Sequence, residues 1–245
     1  MSSRPQQALI HPPPSQRPEA WHHSGAGGLL GDLVLGSSDG LVGFLAFVAG
    51  VSASLPSHRS IILAGVAEMF AGGTSMGLGA FLAAKSEREY YERELAREKM
   101  EIREMPEEER EEIRQIYRAK GFEGDELEMV VGRITADKDR WLKIMMHEEL
   151  GFTQSAFVSP YRAGLGVGLS YVVGAAFPLV PYFLFDRRVA LVVSMALTAL
   201  VLFAVGAAKS RLSARSWWKS GAEMAGLGLA GAMFCYAISA AIATL

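Results

Sequence analysis

The chain has 245 residues, half of them hydrophobic, a formal net charge of -2 and one cysteine, Cys235. A single cysteine excludes an internal disulfide and any site built from paired cysteines, and Lys and Arg interleaved with Glu give no indication of a nucleic-acid partner. The charge is confined, because 20 of the 26 acidic residues lie between Glu87 and Glu149 and the remainder forms long apolar blocks.

The first 28 residues are rich in Pro, Gln, Ser and Gly, which predicts a disordered tail. Two apolar segments follow, 29–55 and 61–84, and each reaches the roughly 20 residues that a membrane-spanning helix needs. Only residues 56–60 separate them, so we expect a tight turn and an antiparallel helix pair.

Three further apolar segments, 163–185, 189–208 and 221–245, complete the pattern. We therefore predict an all-α, multi-pass membrane protein with five transmembrane helices: 29–84 holds the first two and 151–245 the other three. Most Lys and Arg near the segment ends lie on the side that holds the N-terminus and the charged segment. This bias predicts a cytoplasmic N-terminus.

Two acidic residues, Asp39 and Glu68, interrupt the apolar segments, and Met76 follows eight positions after the second. A charged side chain near the bilayer centre costs about 2.5–3.5 kcal/mol on insertion scales, so such residues usually serve a function. We interpret the three as a cation path. The alternative is a neutral, hydrogen-bonded packing role. Glu223 lies near the end of a segment, which favours an interfacial position over a ligand.

The sequence pattern of residues 85–150 predicts a cytoplasmic domain of three helices. The first break between helices is expected at Met105–Pro106 and the second at Gly121. Acids spaced by three share a helix face, and the third helix adds a methionine and a glutamate spaced by four. Carboxylates with a thioether suit Mn²⁺ or Fe²⁺ better than Mg²⁺ or Ca²⁺. Ion pairs on a solvated helix are the alternative. The candidate ligands are Glu98, Glu101, Glu109, Glu112, Met145 and Glu149.

Three stretches form longer motifs: 38–41 (SDGL) followed by 49–50 (AG), 64–87 (AGVAE through SMG to AAKSE) and 141–151 (WL, MM, ELG). With these motifs in this order, the chain resembles the vacuolar iron transporter family. The resemblance implies a homodimeric transporter, not an enzyme, that exchanges Fe²⁺ or Mn²⁺ for protons and exports the ion from the cytoplasm. It places Asp39 on the pathway, Glu68 and Met76 at an intramembrane metal site, and the six candidate ligands in a metal-binding domain.

The resemblance also implies no permanent cofactor: the metal is the transported and regulatory ion, and the other partners are protons and membrane lipid. Residues 43–47 lack the proline that plant and fungal members carry there, which favours a prokaryotic-type member. The expected location is the cell membrane in a prokaryote and a vacuolar or other endomembrane in a eukaryote.

Two other functions also fit helices that carry glutamates. A membrane-bound di-iron carboxylate oxidase would need the Glu-x-x-His pattern, but Ile144 stands three residues before His147. A non-transporting scaffold could use the acidic helices to bind a protein, although it would not explain Asp39 and Glu68.

Overall fold

The computed structural model describes residues 25–55, 57–152, 159–213 and 216–244, and no strand occurs among them. The predicted disorder of residues 1–24 lies outside the described part. The helices are α1 Gly25–Ser54, α2 His58–Glu104, α3 Pro106–Ala119, α4 Gly124–Thr135, α5 Lys138–Ile144, α6 Pro160–Leu179, α7 Pro181–Leu184, α8 Arg187–Ser213 and α9 Trp217–Ala243, with a π-helical turn, Met145–Glu149, after α5.

The chain divides into two compact units. The described part of one is residues 87–152, which we call the charged unit. The other combines 25–86 with the described residues from 159 onward, and we call it the bundle unit. Helix α2 contributes to both, because its residues up to Ser86 belong to the bundle unit and those from Glu87 to the charged unit.

Five described helices of the bundle unit, α1, α2, α6, α8 and α9, are long and apolar enough to cross a membrane. This agrees with the five apolar segments of the sequence. Helix α1 packs against α6 and α9, and α8 packs against α9. Helices α2 and α6 approach closely at glycines, since a Cβ on Gly77 would lie 2.9 Å from the carbonyl oxygen of Gly164. Small residues permit this approach of two backbones.

One predicted boundary in the bundle unit was wrong, and one predicted helix break was confirmed. Helix α1 begins at Gly25, so residues 25–28 of the predicted tail are helical, because extending a formed helix costs far less than starting one. The third apolar segment is interrupted near its end, as Pro178 and Pro181 in the sequence predict. Helix α6 ends at Leu179 and the single turn α7 begins at Pro181, since a proline has no N–H to continue the helical hydrogen bonds.

The charged unit follows the predicted breaks at Met105–Pro106 and at Gly121, whose φ of 95° closes the turn after α3. The prediction of a single third helix was wrong. Helix α4 ends at Thr135, and Asp137 starts α5 by accepting a hydrogen bond of 2.9 Å from the Arg140 backbone N–H. A side chain that caps a new helix start favours such a break.

The core of the charged unit is one apolar cluster that holds residues from every helix of the unit and from the π-helical turn. Its buried members are Ile102, Ile113, Leu127, Val131, Ile134, Trp141, Leu142, Met145 and Met146. This core fixes one face of α2 and one face of α3 inside the unit. The glutamates on those two faces are therefore held at the edge of the apolar core.

Candidate functional site

A group of carboxylates is buried within the charged unit. Glu98 on α2 is 1% exposed and Glu109 on α3 is 4% exposed, although glutamate is rarely buried unless it is paired. One carboxylate oxygen, Oε2, of each is buried with no hydrogen-bond partner. A buried oxygen without a partner costs free energy, so these two oxygens are suited to a ligand.

Five of the predicted metal ligands are brought together. The charges of Glu101 and Glu149 act on Glu98. Glu109 is close enough to feel the charges of four glutamates: Glu98, Glu101, Glu112 and Glu149. Glu112 is also hydrogen-bonded to the side chain of Glu149, which requires a proton on one of the two carboxylates. The spacing of these acids predicted that each pair shares a helix face, and the break at Met105–Pro106 allows the faces of α2 and α3 to meet.

Burial dominates the electrostatics of this group. It raises the pKa of Glu98 to about 7, with the nearby charge of Glu149 as the next cause. It raises the pKa of Glu109 to about 8, with Glu112 as the largest charged contributor, and the pKa of Glu112 to about 7, with Glu149 next. Low dielectric and like charges both oppose ionisation. These carboxyl groups therefore exchange protons near neutral pH.

Arg97 is the cation that offsets part of this repulsion. Its guanidinium nitrogens lie 3.0 Å from a carboxylate oxygen of Glu94, 3.2 Å from one of Glu98 and 3.3 Å from one of Glu101. Glu94, which is 7% exposed, was missed by the sequence reasoning. Its position four residues before Glu98 on one helix face was the available signal.

Met145, the sixth predicted ligand, is completely buried in the apolar core of the charged unit. It opens the π-helical turn, where the Leu150 N–H donates to the Met145 carbonyl oxygen at 3.3 Å. No group of three or more Asp, Glu, His or Cys side chains, among the residues that the structure describes, is placed to hold a metal ion together. A shared ion would require these long side chains to rotate toward it.

The predicted intramembrane residues lie on α1 and α2 of the bundle unit. Asp39 is exposed, whereas Glu68 and Met76 are half-buried, and Met76 packs against the apolar core. No ion pair joins either acidic side chain to a cation among the residues that the structure describes. Within the described residues, neither carboxylate is therefore neutralised by a fixed positive charge.

Tyr171 on α6 joins these residues and was missed from the sequence. Its side chain is hydrogen-bonded to that of Glu68, and it lies within electrostatic reach of Asp39. The ring is 4% exposed and packs directly against Gly72, where a Cβ would overlap it. A tyrosine in an apolar segment needs a partner for its hydroxyl group, and that need was the available signal.

The chain matches a known protein family over most of its length. The sequence model of the VIT family matches residues 30–240. The chain belongs to the VIT family. The resemblance found in the sequence is thereby confirmed. All nine candidate site residues lie within the matched range.

Individual relatives are similar over most of the chain. Vacuolar iron transporter 1 of Arabidopsis thaliana is 37% identical over 218 residues, which cover 88% of this chain and 87% of that protein. Vacuolar iron transporter 1 of Eucalyptus grandis is 35% identical over 221 residues, or 90% of this chain and 89% of that protein. Protein CCC1 of Saccharomyces cerevisiae is 30% identical over 188 residues, or 76% of this chain and 58% of that protein.

Proposed function

We propose that this VIT-family protein transports Fe²⁺ or Mn²⁺ across a membrane in exchange for protons and is not an enzyme. The observation that carries the proposal is the group of Asp39, Glu68 and Tyr171. Its two carboxylates have no cationic partner among the described residues and lie on helices long enough to span a bilayer. The names of the plant relatives, vacuolar iron transporters, support iron as a cargo and an endomembrane as the location.

The carboxylates of the charged unit serve as the collecting site in this proposal. Metal binding requires ionised carboxylates, so metal ions and protons compete for the same oxygens. Because Glu98 and Glu112 have a pKa of about 7 and Glu109 one of about 8, an ion that binds near neutral pH displaces protons. The bias of Lys and Arg toward this side supports a cytoplasmic location for the unit, so the proposed direction is export from the cytoplasm.

A homodimer fits the exposure of Asp39. In one chain its side chain is uncovered, although it lies on a helix that is apolar enough to span a membrane. A carboxylate that faced lipid would be costly. A second copy placed against α1 would cover Asp39 and form a pathway between the subunits, with Glu68 and Met76 contributed by α2.

The test is uptake of Mn²⁺ into proteoliposomes under an imposed pH gradient. We expect Asp39→Asn to abolish gradient-driven uptake, because asparagine cannot bind the ion as a charged ligand or exchange a proton. The matched control is Asp186→Asn, which removes the same charge from the junction between α7 and α8. Unchanged uptake in Asp39→Asn, or uptake that a protonophore does not alter, would refute the exchange mechanism.

The di-iron oxidase is disfavoured by where the histidine lies. His147 is exposed, its Nδ1–H donates to the Phe152 carbonyl oxygen at 3.4 Å, and it faces a cavity that none of the five clustered glutamates lines. A scaffold is disfavoured because a protein-binding acidic surface would be solvated, whereas Glu98 and Glu109 are buried.

A further inference from the structure

A cavity of about 410 Å³ lies in the charged unit between α2, α5 and the π-helical turn. Its volume falls within the roughly 300–1,000 Å³ of small-molecule sites. One part of the lining is aromatic and apolar, and the other part is polar. The apolar part is Tyr91, Leu95, Leu142, Met146 and Phe152, and the polar part is Lys99, Asp139, Lys143 and His147.

A second cavity of about 220 Å³ adjoins the first, because both are lined by Lys99, Asp139 and Leu142. It adds two more cations, Arg103 and Lys138. The two cavities together place four permanent positive charges against the single carboxylate of Asp139. We call this pair of cavities the basic groove.

The basic groove is unusual in a unit that is strongly acidic. Residues 87–152, all of which the structure describes, contain 20 acidic and 13 basic side chains. Seven of these cations have a carboxylate oxygen within 4.0 Å. Four of the other six line the basic groove. Most cations of this unit that have no ion pair with a described carboxylate therefore line the basic groove.

Two aromatic rings, Tyr91 and Phe152, form part of the wall of the larger cavity, and Tyr90 packs behind Phe152. The centroid of the Phe152 ring lies 5.4 Å from that of Tyr91, edge to face, and 5.6 Å from that of Tyr90. The His147 ring is positioned beside this wall by its hydrogen bond to the Phe152 carbonyl oxygen. Aromatic walls bind flat rings by stacking or edge contact, and Lys and Arg bind phosphate oxygens through charge-assisted hydrogen bonds.

We propose that the basic groove binds a soluble organic anion of mononucleotide size, with a flat aromatic body and a phosphate group. The aromatic body lies against Tyr91 and Phe152 in the larger cavity, and the phosphate contacts Lys99 and Lys143. The basic groove is separate from the proposed metal-collecting site and does not depend on metal transport. Neither cavity is lined by any of the five clustered glutamates, Glu98, Glu101, Glu109, Glu112 and Glu149.

The test uses the full chain in nanodiscs of neutral phosphatidylcholine, with adenosine 5′-monophosphate as the probe and titration calorimetry as the readout. We expect saturable binding. Adenosine and inorganic phosphate should each bind at least about tenfold more weakly, because each lacks one of the two recognised parts. This comparison uses only the parent protein, so it holds even if a variant misfolds. Absence of saturable binding, or equal binding of adenosine, overturns the proposal.

A double variant locates the site. Lys99→Gln with Lys143→Gln should weaken binding by about tenfold or more, because two charge-assisted contacts are lost. The matched control, Arg118→Gln with Arg133→Gln, removes two exposed charges from the same unit outside the basic groove. It should change affinity by less than about twofold, since exposed, distant charges are screened. An equal loss in both variants overturns the proposal, because binding would then follow overall charge.

A second arm distinguishes a soluble anion from a lipid headgroup. The titration is repeated in nanodiscs that contain phosphatidylserine. Unchanged affinity for the nucleotide supports the soluble ligand. Loss of nucleotide binding in these discs would show that the lipid headgroup occupies the basic groove, which overturns the proposal of a soluble ligand.

Discussion

Replacing Glu109 by glutamine should make the charged unit less sensitive to alkaline pH. Burial and the charges of Glu112 and Glu98 raise the pKa of Glu109 from 4.5 to about 8. Between these two pH values the folded chain keeps a proton that the unfolded chain has lost. The free energy of unfolding therefore falls as pH rises through this interval, and it levels off above the folded pKa.

The magnitude follows from linkage. From pH 6 to pH 8.5 an unfolded pKa of 4.5 and a folded pKa of about 8 correspond to a loss of about 2.5 kcal/mol in the free energy of unfolding. Glutamine has nearly the same shape and does not ionise. The Glu109→Gln variant should therefore keep this stability at pH 8.5 while differing little from the parent at pH 6.

The assay is backbone amide exchange of α3, Pro106–Ala119, in the full chain and in metal-free buffer, corrected for the intrinsic pH dependence of exchange. The control is Glu128→Gln. Glu128 is exposed, and its hydrogen bond of 2.7 Å from Arg114 lowers its pKa. Its contribution is therefore fully present above its ordinary pKa and should not change between pH 6 and 8.5. Equal pH dependence in the parent and in Glu109→Gln would refute the reasoning.

A further measurement with Mn²⁺ tests the proposed collecting site independently of the pH effect at Glu109. Saturating Mn²⁺ at pH 8.5 should restore protection of α3 in the parent, because an ion that binds only the folded state stabilises it. The Glu109→Gln variant should gain less. If Mn²⁺ protects neither protein, the collecting site is wrong, whereas the pH argument for Glu109 still stands.

Three other outcomes are expected. Tyr171→Phe should lower Mn²⁺ uptake in proteoliposomes, because the Glu68 carboxylate loses its hydrogen-bond partner. The control Tyr161→Phe changes an exposed ring and should leave uptake unchanged, so equal uptake rates in the two variants would contradict a role for Tyr171. Gly77→Ala should destabilise the detergent-solubilised chain by about 1–3 kcal/mol, because the added methyl group overpacks the contact with α6. The control Gly79→Ala has open space around it and should have no such effect, so equal melting temperatures would refute the close approach of α2 and α6. Asp137→Ala should speed amide exchange in α5, because the hydrogen bond that starts this helix is lost.

Local patterns in the sequence predicted much of this protein. Apolar length alone predicted five helices able to span a membrane, because the thickness of the hydrocarbon core sets that length. The breaks at Met105–Pro106 and Gly121 were also readable, since a proline and a glycine with positive φ act through their own backbones. The break between α4 and α5 was not predicted. It depends on the Asp137 side chain capping the first turn of α5, and the sequence alone does not show that this residue acts as a cap.

The sequence by itself determined which side chains can serve as ligands and which of them share a helix face. Only the tertiary structure decided that Glu98 and Glu109 are buried together, that Arg97 contacts three carboxylates and that Tyr171 is hydrogen-bonded to Glu68. Burial and electrostatic repulsion depend on residues contributed by other helices. Spacing along one helix therefore cannot show which glutamate holds a proton at neutral pH.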